Sequence, residues 1–321
     1  MKILVTGVNG FMGTNFARIA SKEHTIHGIV LPGTQTAHCE PFVEKIYPID
    51  IRERKAVIAA FVDSRPDAVL HLAAMVGDSG KAKSFMEVNV LGLESCLDGA
   101  VKAGTRRFIA MSSLAIHGPG PFRGANEDTP LIADYPNYAV SKIIGETLVH
   151  EYGKTGMECV IIRPGLLPFG PQDRMFTLPF VKLIRRGIVP VVNGGHAIIN
   201  TAFVDNLVHG LLLAITHPKA AGQTFIIADP PIRFLDLVRA FSQAMGRRPI
   251  KIPLFSGPLR MAGKVIEHLP LPFPPPITEY RARVVAKDFY FSTKKAEELI
   301  GYKPVVNMED AIRRSVKWAI T

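Results

Sequence analysis

The sequence is poor in cysteine, and this scarcity limits both the compartment and the kinds of site that it can form. Only three cysteines occur among 321 residues, and they lie far apart, at Cys39, Cys96 and Cys159. An odd number at wide spacing predicts neither a disulfide framework nor a zinc site, and it fits a reducing compartment. The ten histidines show no HExxH or paired-ligand spacing, so no metal is expected.

Long hydrophobic runs are also missing. A helix that spans a bilayer needs about 18 to 20 apolar residues in succession, and the nearest run, "LVHGLLLAI", is interrupted by His209 and Gly210. The first residues, "MKILVTG", are strand-like and lead directly into a turn, without the charged, apolar and cleavage regions of a signal peptide. We therefore expect a cytoplasmic protein.

Negative charge is the scarcer sign, since 38 basic residues against 28 acidic ones give a net charge of +10. The basic residues come as scattered doublets, at positions 106–107, 185–186, 247–248, 294–295 and 313–314. Because no basic run is interleaved with aromatic residues, we expect no nucleic-acid partner. A solvated basic surface is the favoured interpretation. Attraction of an anionic cofactor, or weak contact with an anionic membrane surface, is the alternative.

What the sequence does contain is a regular alternation of short apolar runs and amphipathic segments up to about residue 165. This alternation is typical of βαβ units around a parallel sheet, so the predicted fold class is α/β, a Rossmann-type doubly wound sheet. We predict a dinucleotide-binding domain from residues 1–165 plus about 197–228. A smaller, discontinuous substrate-binding region would comprise about 166–196 plus 229–321.

The segment "TGVNGFMG" carries the clearest binding signal. Gly7, Gly10 and Gly13 come directly after the first predicted strand and at the start of the first predicted helix. Glycines in this context permit a tight turn and let the backbone approach a pyrophosphate at the helix N-terminus. We predict a dinucleotide phosphate loop that also includes Phe11 and Met12.

The sequence lacks the acidic residue that would follow the second strand and hold the ribose 2′-hydroxyl of NAD. "GIVLPGTQT" places apolar residues and a proline there, and no Arg or Lys occurs between Lys22 and Lys45. A missing carboxylate removes repulsion against a 2′-phosphate. We predict NAD(P) as the cofactor with a slight preference for NADP, for which the hydroxyls of Thr34 and Thr36 are candidate donors.

Two further segments supply candidate cofactor contacts. "YPIDIRE" places Asp50 and Ile51 after a short strand, where they suit the edge and the face of an adenine. "HLAAMVG" places Leu72, Ala73 and Ala74 at the C-terminal end of a strand, where small residues let a dinucleotide lie close. For each of these residues taken singly, plain packing is the alternative.

The segment "PNYAVSK" places Tyr138 four residues before Lys142, so both side chains share one face of a predicted helix. Ser113 ends an apolar strand, and hydroxyls at the carboxyl end of a parallel strand face the ligand crevice. We predict that these three residues converge. The same spacing recurs at Tyr290 and Lys294, but "FYFSTKKAEELIGY" is typical of a strand followed by an N-capped helix.

The predicted trio has a chemical rationale. A free phenol has a pKa of about 10 and is a poor proton carrier at neutral pH. The Lys142 ammonium, together with a positive nicotinamide, would favour the phenolate and lower that pKa. Tyr138 would then act as general acid/base, Ser113 would hold the substrate oxygen, and Lys142 would also hydrogen-bond the nicotinamide ribose.

These motifs occur in the order found in the extended short-chain dehydrogenases/reductases, which the sequence resembles along nearly its whole length. The segments that carry the likeness are "TGVNGFMG", "HLAA", "VNVLG", "SS", "YAVSK", "IIRPG" and "FVDN". Within that family, "RPGLLPFGPQDR" and "FVDNLVHGLLLA" look most like the 3β-hydroxysteroid and 4α-carboxysterol dehydrogenase branch. The resemblance assigns catalysis to Ser113, Tyr138 and Lys142, and it adds Asn89 and Pro164 to the cofactor site or its support.

The resemblance implies hydride transfer between NAD(P) and a secondary alcohol or ketone. The substrate would be a small molecule with a bulky, apolar framework. It also implies a homodimer formed through the outer faces of the helices that hold Asn89 and Tyr138. Leu166 stands where nucleotide-sugar epimerases tend to have an asparagine for the substrate phosphates, which counts against a nucleotide sugar. An epimerase that recycles a tightly bound NAD(P) is the runner-up. A non-catalytic dinucleotide-binding regulator would be expected to lack Tyr138 or Lys142.

The proline-rich, apolar segment from Ile252 to Ile277 has two interpretations of equal weight. It would form an apolar wall for the substrate, or it would close the hydrophobic core of the smaller region. Its part "PLRMAGKVIEHL" predicts a helix with one apolar stripe, formed by Leu259, Ala262, Val265, Ile266 and Leu269. Core packing is the expected role of such a stripe, and interfacial contact with a membrane is the alternative.

Overall fold

The structure is a computed structural model that describes residues 1–132, 136–269, 275 and 277–321. Its strands are β1 (Lys2–Thr6), β2 (Thr25–Val30), β3 (Lys45–Pro48), β4 (Ala68–His71), β5 (Arg107–Met111), β6 (Phe122–Ala125), β7 (Glu158–Pro164), β8 (Leu167–Phe169), β9 (Ile188–Val192), β10 (Ile198–Ile199), β11 (Thr201–Phe203), β12 (Thr224–Ile227), β13 (Ile232–Arg233), β14 (Ile250–Leu254) and β15 (Phe289–Phe291).

The α-helices are α1 (Phe11–Ala20), α2 (Arg54–Ser64), α3 (Ala82–Phe85), α4 (Gly92–Lys102), α5 (Asn137–Gly153), α6 (Thr177–Arg185), α7 (Val204–Thr216), α8 (Phe234–Ala244), α9 (Ser256–Ile266), α10 (Glu279–Val284), α11 (Lys294–Ile300) and α12 (Met308–Ile320). A π-helical turn, Met86–Leu91, joins α3 to α4. Short 3₁₀ turns span Glu40–Phe42, Leu114–His117, Asn193–Gly195 and Pro218–Ala220.

Seven strands form one sheet in the order β12-β7-β5-β4-β1-β2-β3, and every neighbouring pair is parallel. Strands covered on both faces need apolar side chains on both faces, which explains why β1, β4 and β5 read as almost unbroken apolar runs. The predicted α/β class with a Rossmann-type parallel sheet is confirmed.

Helices cover the two faces of this sheet. On one face α1 packs against α7, and Phe16 and Leu207 belong to the buried core there. On the other face α2 packs against α4, where Phe61 and Leu97 are buried with Phe108 of the sheet. The two layers hold the carboxyl ends of the strands at one common edge, and the site residues lie along that edge.

Arg107 corrects the expectation that the basic doublets lie on the solvated surface. Its side chain is fully buried at the start of β5. The guanidinium Nη1 donates to the carbonyls of Ala214, Ile215 and His217 at 2.8–3.0 Å, and Nη2 lies 2.7 Å from Glu158. Arg107 therefore supplies hydrogen bonds to the C-terminal carbonyls of α7, where a cation is favoured by the helix dipole.

The later part of the chain forms smaller sheets beside the central one. A four-stranded sheet has the order β13-β10-β15-β6, and the pairs β8–β11 and β9–β14 are parallel. All three residues of β8 pair with β11. The chain returns to the central sheet through β12, which pairs with β7. The division into residues 1–165 plus about 197–228, and the remainder, stays a prediction.

The apolar segment beginning at Ile252 does not close a core in the part that the structure describes. Residues 270–274 and 276 of this segment lie outside the described residues. In α9 the predicted stripe is split: Leu259 and Ile266 are half-buried, whereas Ala262 and Val265 are exposed. The expected core packing of the whole stripe is therefore wrong, because α9 packs through its Gly263 side. Among the described residues, no helix combines the length and apolar character needed to cross a membrane.

Candidate active site

Each of the three glycines of the phosphate loop meets a different structural requirement. Gly7 has φ +69°, a conformation that favours glycine, and a Cβ there would lie 3.1 Å from the Cα of Ala73. A Cβ on Gly13 would lie 2.4 Å from the carbonyl oxygen of Gly7, so Gly13 lets α1 pack against the turn. Gly10 is the N-cap of α1 and provides no side-chain cap.

This loop fits a dinucleotide pyrophosphate. The first turn of α1 carries no acidic residue and no side-chain cap, so its backbone N–H groups, including those of Phe11 and Met12, face outward without an intrahelical acceptor. Such a helix terminus favours an anion. The bare backbone of Gly7 and Gly10 leaves the space that a phosphate group needs.

The neighbouring strand end is fixed by Thr6, which the sequence analysis did not single out. The Thr6 hydroxyl accepts hydrogen bonds from the amides of Leu72 and Ala73, both at 3.1 Å, and lies 3.0 Å from Nδ1 of His71. Burial lowers the pKa of His71 to about 3, so this ring is neutral. Leu72, Ala73 and the following Ala74 are thus held beside the phosphate loop at the carboxyl edge of the sheet.

The loop after β2 is tied to the phosphate loop by Asn9. The side-chain Nδ2 of Asn9 donates to the Thr34 hydroxyl at 2.8 Å, and the backbone carbonyl oxygen of Asn9 lies 2.8 Å from Nε2 of His38. The Thr36 hydroxyl donates to Glu40 at 2.6 Å. Both threonine hydroxyls proposed as phosphate donors are therefore engaged within the loop.

Asp50 and Ile51 lie after β3 in different environments. The Asp50 carboxylate accepts a hydrogen bond from the Arg52 guanidinium at 2.6 Å, and this interaction lowers its pKa, so it is ionised at neutral pH. Ile51 is buried and packs on the backbone of Gly92, where a Cβ would lie 2.7 Å from Ile51 Cδ1. Asp50 presents a charged edge at this position, whereas Ile51 belongs to the packed layer beneath it.

The structure brings Ser113, Tyr138 and Lys142 together, as their spacing predicts. Tyr138 lies in the first turn of α5, and its side chain approaches that of Ser113, which follows β5 after Ser112. The Ser113 oxygen is held by the amide of Ala115 at 3.1 Å. The Nζ of Lys142 lies 5.8 Å from the centroid of the Tyr138 ring and donates to the Met111 carbonyl at 2.8 Å.

Burial dominates the protonation of this trio in the chain alone. It raises the pKa of Tyr138 to about 12, against the opposing effect of the hydrogen bond with Ser113. It lowers the pKa of Lys142 to about 8, against the opposing charge of Glu146. At pH 7 the chain by itself therefore holds a neutral phenol, and a bound positive nicotinamide would be needed to favour the phenolate.

Tyr290 and Lys294, which have the same spacing in the sequence, have a different setting. Tyr290 lies in β15, and Lys294 is the first residue of α11, so the two residues do not share a helix. The Ser292 hydroxyl accepts a hydrogen bond from the Lys294 amide at 3.2 Å. The strand-then-helix prediction for this segment is confirmed.

Asn89 connects the loop after β4 to the helix that carries Tyr138. Its Oδ1 accepts from the Met75 amide at 2.8 Å, and its Nδ2 donates to the Met75 carbonyl and to the Ser141 hydroxyl at 2.9 and 3.0 Å. Ser141 in turn donates to the Tyr138 carbonyl at 2.7 Å. Asn89 lies within the π-helical turn, a feature found often at functional sites.

Beneath Lys142 lies a buried ion pair that sequence reasoning missed. Arg163 in β7 donates to both oxygens of Glu146 at 2.9 and 2.7 Å, and both side chains are buried. Arg163 also lies 3.4 Å from Nε2 of His117. The sequence did contain a signal, because "ECVIIRP" places a charge in an apolar strand and a buried charge requires a partner.

Apolar residues lie beside Tyr138 and Ser113. The ring of Phe85 lies 6.2 Å from that of Tyr138. Ala115, whose amide holds Ser113, packs against an apolar core together with Phe11 and Leu166. Pro164 ends β7 at the same sheet edge. Within the described ranges, no three His, Cys, Asp or Glu side chains are placed to hold a metal ion.

The sequence model of the NAD dependent epimerase/dehydratase family matches residues 3–228 of this chain, which include the phosphate loop and the trio. The chain belongs to this family. It is an NAD-dependent enzyme of the extended short-chain dehydrogenase/reductase type, as the order of its motifs indicated.

Known proteins are similar to the chain over nearly its full length. A 3β-hydroxysteroid dehydrogenase/Δ5→4-isomerase of Mycobacterium tuberculosis is 29% identical, and the match covers 100% of this chain and 90% of that protein. A 2-alkyl-3-oxoalkanoate reductase of Stenotrophomonas maltophilia is 27% identical, with 98% of each chain covered. The crystal structure of UDP-glucuronic acid 4-epimerase from Bacillus cereus is 21% identical, with a TM-score of 0.80 and coverage of 100% and 99%.

The close contact at Gly13 leads to a first prediction. In Gly13→Ala the new Cβ would lie 2.4 Å from the Gly7 carbonyl, so α1 has to shift away from the turn. We expect weaker binding of NAD and NADP by about tenfold or more, and a lower melting temperature. Isothermal titration and thermal unfolding measure the two effects. Gly257→Ala is the control, since nothing lies within 4 Å of its Cβ. Unchanged binding by Gly13→Ala would contradict the role of this contact.

The buried carboxylate leads to a second prediction. Glu146→Gln leaves Arg163 buried without a counter-charge, which costs about 3 kcal/mol or more of unfolding free energy. It also removes the charge that raises the pKa of Lys142, so the alkaline fall of kcat/KM for the cofactor should begin at lower pH. Urea unfolding and a pH profile measure these effects. Glu151→Gln, an exposed carboxylate on the same helix, should change neither. A destabilised variant with an unmoved pH profile would mean that Glu146 only supports the fold.

Proposed function

We propose that this enzyme interconverts a secondary alcohol and a ketone on a bulky apolar substrate of steroid or sterol type. The observation that carries the proposal is the convergence of Ser113, Tyr138 and Lys142 at the carboxyl edge of the sheet, with the Phe85 ring beside Tyr138. A proton carrier and an oxygen-binding hydroxyl are what a carbinol–carbonyl interconversion requires. The Phe85 ring beside Tyr138 favours a substrate with an apolar framework.

Each residue of the trio has a distinct proposed role. Ser113, held by the Ala115 amide, donates to or accepts from the substrate oxygen. Tyr138 gives its proton to that oxygen during reduction and takes it back during oxidation. Lys142 supplies a positive charge one helical turn away and a donor for the cofactor ribose. The bound nicotinamide supplies or accepts the hydride.

The cofactor-binding proposal rests on the same edge of the sheet. Gly7, Gly10 and Gly13 would hold the pyrophosphate on α1, with Asp50 and Ile51 toward the adenine. Leu72, Ala73 and Ala74 would lie against the dinucleotide, and Asn89 and Pro164 would support it. We retain a preference for NADP over NAD. It rests only on the missing carboxylate after β2, since the hydroxyls of Thr34 and Thr36 are already hydrogen-bonded within their loop.

The names of the relatives favour the same class of substrate. The Mycobacterium tuberculosis protein is named for a 3β-hydroxysteroid and the Stenotrophomonas maltophilia protein for a 2-alkyl-3-oxoalkanoate, so both names describe an alcohol or ketone on a hydrocarbon framework. The alternative is an epimerase of nucleotide sugars, suggested by the Bacillus cereus structure. Leu166 argues against it, since a leucine side chain donates no hydrogen bond to a phosphate.

The third prediction concerns catalysis by Tyr138. Purified enzyme with NAD or NADP should reduce the nicotinamide in the presence of a 3β-hydroxysterol or another bulky secondary alcohol, followed by absorbance. Tyr138→Phe should lower kcat about 10²-fold or more with cofactor binding preserved, because it removes only the proton-carrying hydroxyl. The NAD and NADP arms compare the two cofactors directly.

The control for this prediction is Tyr290→Phe, since Tyr290 has the same spacing to a lysine but lies on a different element. It should leave turnover unchanged. A Tyr138→Phe variant with full activity would overturn the assignment. No turnover across the alcohol panel, combined with tight cofactor binding and conversion of a nucleotide sugar without net nicotinamide reduction, would favour the epimerase.

We also propose a cytoplasmic homodimer. The three cysteines are free and buried, which suits a reducing compartment. On the helix that contains Asn89, Leu91 and Val101 expose large apolar side chains, and such side chains often lie in subunit contacts. The proposed contact joins this helix and α5 with their copies.

The fourth prediction tests this contact. At micromolar concentration, sedimentation should give a dimer of twice the chain mass of 35.1 kDa. Leu91→Asp should shift the protein toward the single-chain mass, because it places charges face to face in the contact. Leu131→Asp is the control, since Leu131 is also exposed but lies outside both helices. A wild-type protein that sediments only at the single-chain mass would rule out the dimer.

A further inference from the structure

The parallel pair β9–β14 presents an unusual apolar outer surface. Ile250 pairs with Ile188, and Ile252 pairs with Pro190 two residues along. Val189 and Val191 of β9 point the other way and are buried in the core. Ile250, by contrast, is 71% exposed, although alternation along a strand normally places polar residues on the solvent side.

The helix α9 follows β14 in the chain and exposes further apolar side chains. Gly263 packs so closely on the backbone at Thr278 that a Cβ would lie 2.6 Å from it. The opposite side of α9 therefore points away from the protein, where Met261 is 68% and Val265 is 56% exposed. Phe255, which precedes the helix, is 70% exposed. We call Ile188, Ile250, Ile252, Phe255, Met261 and Val265 the apolar face.

The excess positive charge of the whole chain lies in the two segments that supply this face. Residues 174–204 contain four basic and no acidic residues, and residues 237–266 contain six basic and no acidic residues. Together these ten charges equal the net charge of +10, so the remainder of the chain is neutral. A uniformly solvated basic surface would not concentrate its excess in this way.

Four exposed arginines stand at one end of the apolar face. Arg185 and Arg186 are separated from β9 by Gly187, and Arg247 and Arg248 are separated from β14 by Pro249. The two strands begin side by side, because the Ile250 amide donates to the Gly187 carbonyl at 2.8 Å. The backbone of both arginine pairs is thus close to the end where the exposed isoleucines of the two strands pair.

We propose that this face docks on an anionic phospholipid surface, with the apolar side chains among the acyl chains and the arginines at the headgroups. The combination of exposed apolar residues and a basic rim is that of a peripheral membrane-binding surface. A second copy on this face is the other possible occupant, and the test distinguishes it because it would change the oligomeric state and not vesicle binding. This inference holds whether the substrate is a sterol or a sugar.

The face also has a structural connection to the active site. Thr278, on which α9 packs, donates a hydrogen bond to Asp78, and Arg281 of α10 lies 2.8 Å from the same carboxylate. Asp78 belongs to the loop after β4 that Asn89 holds through Met75. A surface docked through α9 would therefore lie one helix away from a loop that borders the catalytic trio.

The fifth prediction is that the protein binds anionic vesicles more strongly than neutral ones, and co-sedimentation of the whole chain with vesicles measures this. Pure phosphatidylcholine is compared with a mixture containing about one-third phosphatidylglycerol, at low salt and at ~0.5 M salt. We expect about tenfold stronger binding to the anionic vesicles, and loss of most of that preference at high salt. Phe255→Ser combined with Met261→Ser, and separately Arg247→Gln combined with Arg248→Gln, should each weaken binding about tenfold.

Matched control variants distinguish binding through this face from non-specific hydrophobic or electrostatic adsorption. Val62→Ser with Val305→Ser removes two exposed apolar side chains elsewhere, and Lys303→Gln with Lys317→Gln removes two exposed charges elsewhere. Both should bind vesicles like the wild type, and all variants should retain the wild-type melting temperature. Equal binding to neutral and anionic vesicles, or equal losses in the controls, would overturn the proposal. So would an apolar-face variant that binds vesicles normally but sediments as a smaller oligomer, because the face would then join two copies.

Discussion

The buried ion pair between Glu146 and Arg163 is the interaction on which the arrangement of the candidate active site depends. A charge removed from water is tolerated only with a partner, and Arg163 meets it with two hydrogen bonds from the neighbouring strand β7. The pair thereby joins α5 to the sheet. Lys142 lies one turn before Glu146, and the charge of that carboxylate opposes the fall in the Lys142 pKa that burial causes.

The second constraint is geometric and comes from the parallel sheet. All seven strands end at one edge, so residues far apart in sequence meet there without long side chains. Thr6 fixes the turn after β4, and Asn89 fixes the following loop and, through Ser141, the first turn of α5. Side chains that make no contact with the reacting atoms therefore set the position of those that do.

The candidate active site and the proposed docking face lie on different parts of the chain. At the candidate site, burial shifts the pKa values of Tyr138 and Lys142, whereas the arginines before β9 and β14 are exposed. The two regions communicate through packing, since Gly263 of α9 contacts Thr278, which binds Asp78 in the loop near the site. A close approach at one glycine thus determines how the outer helix is seated relative to the cleft.

The sequence alone determined the α/β class, the phosphate loop and the meeting of Ser113, Tyr138 and Lys142, because these features depend on local spacing and on strand–helix alternation. It also distinguished Tyr138 from Tyr290, since only one of them lies on a helix with its lysine. The tertiary structure decided what spacing cannot express. It paired Arg163 with Glu146, buried Arg107 against α7, and turned Met261 and Val265 outward, because burial depends on which distant segment packs on each face.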